Sequence, residues 1–71
     1  LARMEEKERM RHIQTALDAL PADFKMVVAL RDMEGLSYED IAEIAGVNLG
    51  TVKSRIARAR AELRNKLRGV L

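Results

Sequence analysis

Cysteine is absent from this 71-residue chain, and proline and histidine occur once each, as Pro21 and His12. Without cysteine there are no disulfides and no thiolate zinc sites, and a lone His12 cannot by itself build a metal site or a catalytic triad. No stretch approaches the roughly eighteen apolar residues of a membrane span. The opening residues, Leu-Ala-Arg-Met-Glu-Glu-Lys-Glu, are too charged for the apolar core of a secretory signal, so the expected compartment is the cytosol. The carboxylates are scattered over helix faces, whereas general acid/base pairing needs a shared, water-poor pocket, so enzyme chemistry finds no support. No linker, repeat or low-complexity segment divides the chain, which reads as one small domain over residues 1–71. A domain of this size buries its surface incompletely and leans on neighbours for stability. Because it starts at Leu1 in residues that already read as helix, it is expected to be a piece of something longer.

What the chain does have is a steep charge asymmetry. Residues 1–48 carry six Lys/Arg against ten Asp/Glu, net −4, while residues 49–71 carry seven against Glu62 alone, net +6. A cationic last third on an otherwise acidic domain is an oriented footprint for a polyanion, although composition alone fits a solvated Arg-rich helix face equally well.

Hydrophobic spacing predicts four helices and an all-α fold. Met10, Ile13, Leu17 and Leu20 recur at intervals of three and four, marking a first helix from about Arg3 to Ala19. Pro21 suits the first turn of a second helix, which runs over 22–33 and closes at Glu34-Gly35. Its apolar residues, Phe24, Met26, Val27, Val28, Ala29, Leu30 and Met33, cover most of the circumference, predicting a central helix packed on more than one side with the methionines as core filler. Ser37 with Asp40 approximates a capping box, with Leu36 placed to staple against Ile41, so a third helix covers 38–45 with Ile41, Ile44 and Ala45 inward. Gly46 and Val47 make a turn, Asn48 is a good N-cap, and a fourth helix runs over 49–68.

The last two helices read as a helix-turn-helix, whose second helix characteristically enters the DNA major groove. Counting from Tyr38, Ala42 is fifth, Gly46 ninth and Val52 fifteenth, where that unit needs a small residue, a left-handed-tolerant turn residue and a buried aliphatic. On a wheel at about 100° per residue, Val52, Ile56, Ala59, Leu63 and Leu67 form a narrow apolar stripe. The face forced outward holds Gly50, Ser54, Ala57, Arg58 and Ala61, flanked by Lys53, Arg64 and Thr51. Small residues let the helix backbone approach base edges, and long cations at the margins can reach guanine acceptors or phosphates. Gly50 lowers helix propensity by up to about 1 kcal/mol relative to Ala, which makes sense if a ligand nears the backbone or if a side chain would strike the third helix. Arg55 and Arg60 lie nearer the apolar stripe and read as intramolecular ion-pair or phosphate residues rather than base readers.

These residues carry a family resemblance. Leu20-Pro21, the Met26 to Leu30 apolar run, Glu34 to Ala42, Gly46-Val47 and Gly50-Thr51-Val52-Lys53-Ser54-Arg55-Ile56 with Arg58-Ala59-Arg60 resemble region 4 of bacterial sigma factors of the extracytoplasmic-function (ECF) group. The likeness spans about Leu17 to Leu67. It implies binding to the minus-35 element of double-stranded promoter DNA, contact with the β-flap of the RNA polymerase core, and masking by an anti-sigma factor. It implies no cofactor, no small-molecule substrate and no membrane partner. By resemblance, Lys53, Ser54, Ala57 and Arg58 correspond to base-contacting positions. Gly50 and Thr51, with Asn48, stand at the helix start, and Arg31 near the phosphate backbone; Arg31 could instead cap the last carbonyls of the second helix. Ala57 departs from relatives, which often carry a larger residue there, and offers only a methyl contact to thymine.

Two other readings stand beside this one. The chain could be a sigma-like interaction module that binds an anti-sigma factor without reading DNA, although the intact Lys53-Ser54-Arg58 set has no place in such a decoy. It also shares Thr-Val-Lys with the C-terminal domain of response regulators, which usually continue with a residue and then His, where this chain has Ser54-Arg55.

Overall fold

The structure, a computed structural model, describes residues 4–70. Among these residues the secondary structure is helical throughout: α1 (Glu6–Asp18), α2 (Ala22–Val28) continued by a π-helical turn (Ala29–Met33), α3 (Tyr38–Ala45) and α4 (Leu49–Lys66). The expected all-α architecture with a long C-terminal helix is therefore observed. The expected start of α1 at Arg3 lies outside the described residues.

Each boundary follows from local chemistry. Pro21 sits at the N-cap of α2, where its missing N–H leaves nothing unsatisfied, and its carbonyl accepts from Lys25 N at 2.9 Å. Ser37 Oγ accepts from Asp40 N at 3.1 Å, so the capping half of the expected box forms. At the end of α3, Gly46 adopts φ +70°, and its amide and that of Val47 close on the carbonyls of Glu43 and Ala42. This αL termination ends the helix within one residue and turns the chain sharply toward α4.

The end of α2 differs from the regular helix expected. Glu34 N donates to Ala29 O and Leu36 N to Leu30 O, each one residue wider than an α-helical ending would use. Gly35 still takes the left-handed conformation, at φ +71°.

Two apolar clusters hold the domain. One contains Val27, Ile41, Val52 and Ile56, with Leu30, Leu36, Tyr38, Ala42 and Val47 packed around it. The other contains Leu20, Val28 and Ala59, with Leu17, Phe24 and Leu63. The adjacent residues Val27 and Val28 thus serve different clusters, which makes α2 the central helix. It packs along α4 more extensively than any other pair of elements does, while α1 touches α4 only lightly.

Two expectations about burial are corrected. Met26 and Met33 are 37% and 64% exposed, so the methionines of the second helix are not core filler, and Met10 at the start of the α1 stripe is likewise exposed. Phe24, Val27, Val28 and Leu30 supply the core contacts of this central segment, and Met26 and Met33 fall outside that arc. Ile44, expected inward, is 59% exposed. The buried arc of α3 runs from fully buried Ile41 through Tyr38 and Ala45 to Ala42, about 100° wide, and Ile44 falls about 60° outside it. Conversely, buried Ala16 was not singled out from the sequence.

Candidate nucleic-acid interface

The apolar stripe of α4 is buried as its spacing requires. Val52 and Ala59 are fully enclosed, Ile56 and Leu67 nearly so, and Leu63 packs at the edge of the second cluster. This rotational setting fixes what faces solvent. Gly50, Lys53, Ser54, Ala57, Arg58 and Arg64 are all exposed, while Thr51 and Ala61 are half-buried. The expected base-facing residues Lys53, Ser54, Ala57 and Arg58 thus come together on one accessible face. Glu62, the single carboxylate of α4, is half-buried rather than spread across that face.

Asn48 anchors the start of the helix. Its Oδ1 accepts from Thr51 N at 2.8 Å, satisfying one of the first free amides and aligning the exposed first turn. The remaining N-terminal amides carry the positive end of the helix dipole, which favours an anion there. At Gly50 a Cβ would meet only Asn48 Oδ1, at 3.4 Å, and no atom of α3. The clash with the third helix considered for this glycine is therefore absent, and its bare backbone opens to solvent.

Five of the six cations of α4 fall into two sets. Arg55 pairs with Asp23 at 3.6 Å and Arg60 with Asp32 at 2.9 Å, both carboxylates belonging to the α2 segment, as the intramolecular reading of these two arginines anticipated. The hydrogen bond from Arg60 to Asp32 raises the guanidinium pKa further above its ordinary value against the opposing effect of partial desolvation. Among the described residues, Lys53, Arg58 and Arg64 form no ion pair, leaving their charges available on the outer face.

Arg31 has a geometry the sequence did not reveal. Its Nη1 donates to Leu36 O at 2.8 Å, and its guanidinium lies 4.8 Å from the centroid of the Tyr38 ring. It does bond a backbone carbonyl, but that carbonyl lies in the loop beyond the helix rather than in the last turn of α2. Arg31 is thus a brace between the α2 segment and α3, with its half-buried cation near the surface.

Arranged this way, α4 offers a convex cationic ridge with a small-residue crest. Such a surface suits the concave major groove, whose width admits one helix. No helix among the described residues is long and apolar enough to cross a membrane.

Comparison with known proteins identifies the lineage. The model of the family described as "Sigma-70, region 4" matches residues 10–63. The chain is 56% identical over 55 residues to the ECF RNA polymerase sigma factor SigE of Mycolicibacterium smegmatis, covering 78% of this chain and 21% of that protein. It is 46% identical over 68 residues to the ECF RNA polymerase sigma-E factor of Haemophilus influenzae, covering 96% of this chain and 36% of that protein. The sigma-E factor of Escherichia coli K12 is 46% identical over 55 residues, covering 78% of this chain and 29% of its own length. The chain thus spans about a fifth to a third of the length of these relatives. The chain belongs to the Sigma-70, region 4 family, in the form carried by ECF sigma factors.

Proposed function

We propose that this domain reads the minus-35 element of promoter DNA by laying α4 in the major groove, as the part of an ECF sigma factor that directs RNA polymerase to its promoters. The observation that carries this reading is the division of cations on α4. Arg55 and Arg60 are tied to carboxylates of the α2 segment, whereas Lys53, Arg58 and Arg64 stand unpaired around the exposed residues Gly50, Ser54 and Ala57. Lys53 and Arg58 reach base edges, Ser54 hydrogen-bonds a base or phosphate, and Ala57 meets a thymine methyl. Thr51 and the amides at the start of α4 hold a phosphate, aided by Arg31. The β-flap of RNA polymerase and an anti-sigma factor are the protein partners proposed by family resemblance.

Selection from a randomised duplex pool at fixed salt tests this reading. A single preferred motif is expected, with weak binding by the isolated domain and a log–log salt slope of about −4 to −5 if roughly five phosphates are neutralised. Arg58→Ala should cost roughly 1–3 kcal/mol and relax preference at one base pair, whereas equal losses on all sequences would make Arg58 a phosphate contact. No binding to any duplex at low salt would replace this reading with an interaction module that engages an anti-sigma factor only.

A further inference from the structure

We infer that Asp32 limits how tightly this domain holds DNA of any sequence, by neutralising Arg60 on the flank of α4 that also carries Lys53 and Arg64. This rests on the DNA-reading function proposed above. Arg60 lies about 20° from Lys53 and about 40° from Arg64 around the helix axis. It also lines one shallow depression with Arg64, Leu63 and Leu67, so the two arginines share a surface. The carboxylate opposite Arg60 comes from the π-helical turn, with Nη2 and Oδ1 2.9 Å apart and the two side chains 44% and 45% exposed. The pair is therefore open to solvent and to a phosphate backbone that approaches this flank.

Its electrostatics differ from those of its unpaired neighbours. If the pair stays closed, it presents no net charge to DNA. If a phosphate draws Arg60 away, Asp32 is left as a bare anion beside the polyanion and the gain is cancelled. Either way the pair releases no counterion, while Lys53 and Arg64 each can. The Arg55–Asp23 pair has no such effect, because Arg55 is only 24% exposed and lies across the buried stripe from this flank. Asp32 is thus an affinity-setting residue that need not touch DNA.

The test compares the wild-type chain with Asp32→Asn and the double variant Asp32→Asn/Arg60→Ala. Fluorescence anisotropy over a salt series would use a mixed-sequence duplex and a duplex selected from the randomised pool. Asp32→Asn is isosteric at an exposed site, and far-UV circular dichroism with a thermal melt checks that the helices persist. The single variant should bind both duplexes roughly three- to tenfold more tightly near 0.1 M salt, with the log–log slope steeper by about 0.9. The double variant should return to the wild-type slope. An unchanged slope in Asp32→Asn, while the wild type binds DNA, overturns this inference alone. A gain that survives in the double variant also overturns it, since Arg60 would then not be the group released. If the wild type binds neither duplex at low salt, the DNA-reading function fails and this inference fails with it.

Discussion

The guanidinium of Arg31 sits 4.8 Å from the centroid of the Tyr38 ring while its Nη1 donates to Leu36 O at 2.8 Å. One side chain therefore spans the loop between the α2 segment and the first helix of the helix-turn-helix. It ties the π-helical turn both to the loop carbonyl of Leu36 and to the first residue of α3. The planar, five-donor guanidinium can stack and hydrogen-bond at once, which an ammonium cannot do.

Arg31→Ala should lower stability by about 1–2 kcal/mol, the combined loss of a charge-assisted hydrogen bond and a cation–π contact, measured by urea unfolding. Arg31→Lys separates structure from charge. It should keep the salt slope of DNA binding while recovering little of the stability. Full recovery of stability by lysine would show that the planar fork is dispensable.

Asn48→Ala should cost about 1 kcal/mol through loss of the cap to Thr51 N. Asn48→Asp restores a capping oxygen and so should restore the melting temperature, but it places an anion where a phosphate is expected to lie. DNA binding should fall in Asn48→Asp despite the repaired helix, and equal binding would move the phosphate elsewhere.

Gly50→Ala should change stability and binding in opposite directions. The added methyl meets only Asn48 Oδ1, at an ordinary contact distance of 3.4 Å, so helix propensity should stabilise the fold by a few tenths to about 1 kcal/mol. Duplex affinity should drop if the backbone closely approaches DNA. A more stable protein with undiminished affinity would leave Gly50 without a role in recognition.

The acid limb of stability should depend on Lys25. Asp18 is held below the ordinary carboxyl pKa, first by the hydrogen bond from Lys25 Nζ at 2.8 Å and then by the one from Gln14 Nε2 at 3.0 Å. A depressed folded-state pKa means that the contribution is complete above the unfolded carboxyl pKa and is lost as pH falls through the lower folded value. The gap in melting temperature between wild type and Lys25→Met should therefore be largest near neutral pH and shrink toward strong acid. A gap independent of pH would assign the Lys25 contribution to packing of its stem.

Where the controlling interactions are local, the sequence was legible. Asn48 and Ser37 cap because their oxygens reach amides three residues ahead, and Gly46 turns because it tolerates φ +70°. The stripe from Val52 to Leu67 could be read because helical periodicity is a property of the chain itself. Ile44 shows the limit of the same method: periodicity marks an apolar arc, but the partner surface decides how much of that arc is covered.

By itself, then, the sequence determined four helices, the N-caps of α3 and α4, and the rotational setting of α4 that turns Lys53, Ser54, Ala57 and Arg58 outward. These follow from propensities and contacts within a few residues. Only the tertiary structure decided which cations remain free to act on a ligand. Asp23 and Asp32 lie 32 and 28 positions before Arg55 and Arg60, and no local rule pairs them. The π-helical turn at Ala29–Met33, which carries both Arg31 and Asp32, likewise belongs to the folded domain. Widened hydrogen bonds of this kind persist where surrounding contacts hold them, and here the packing of α2 between two clusters supplies those contacts.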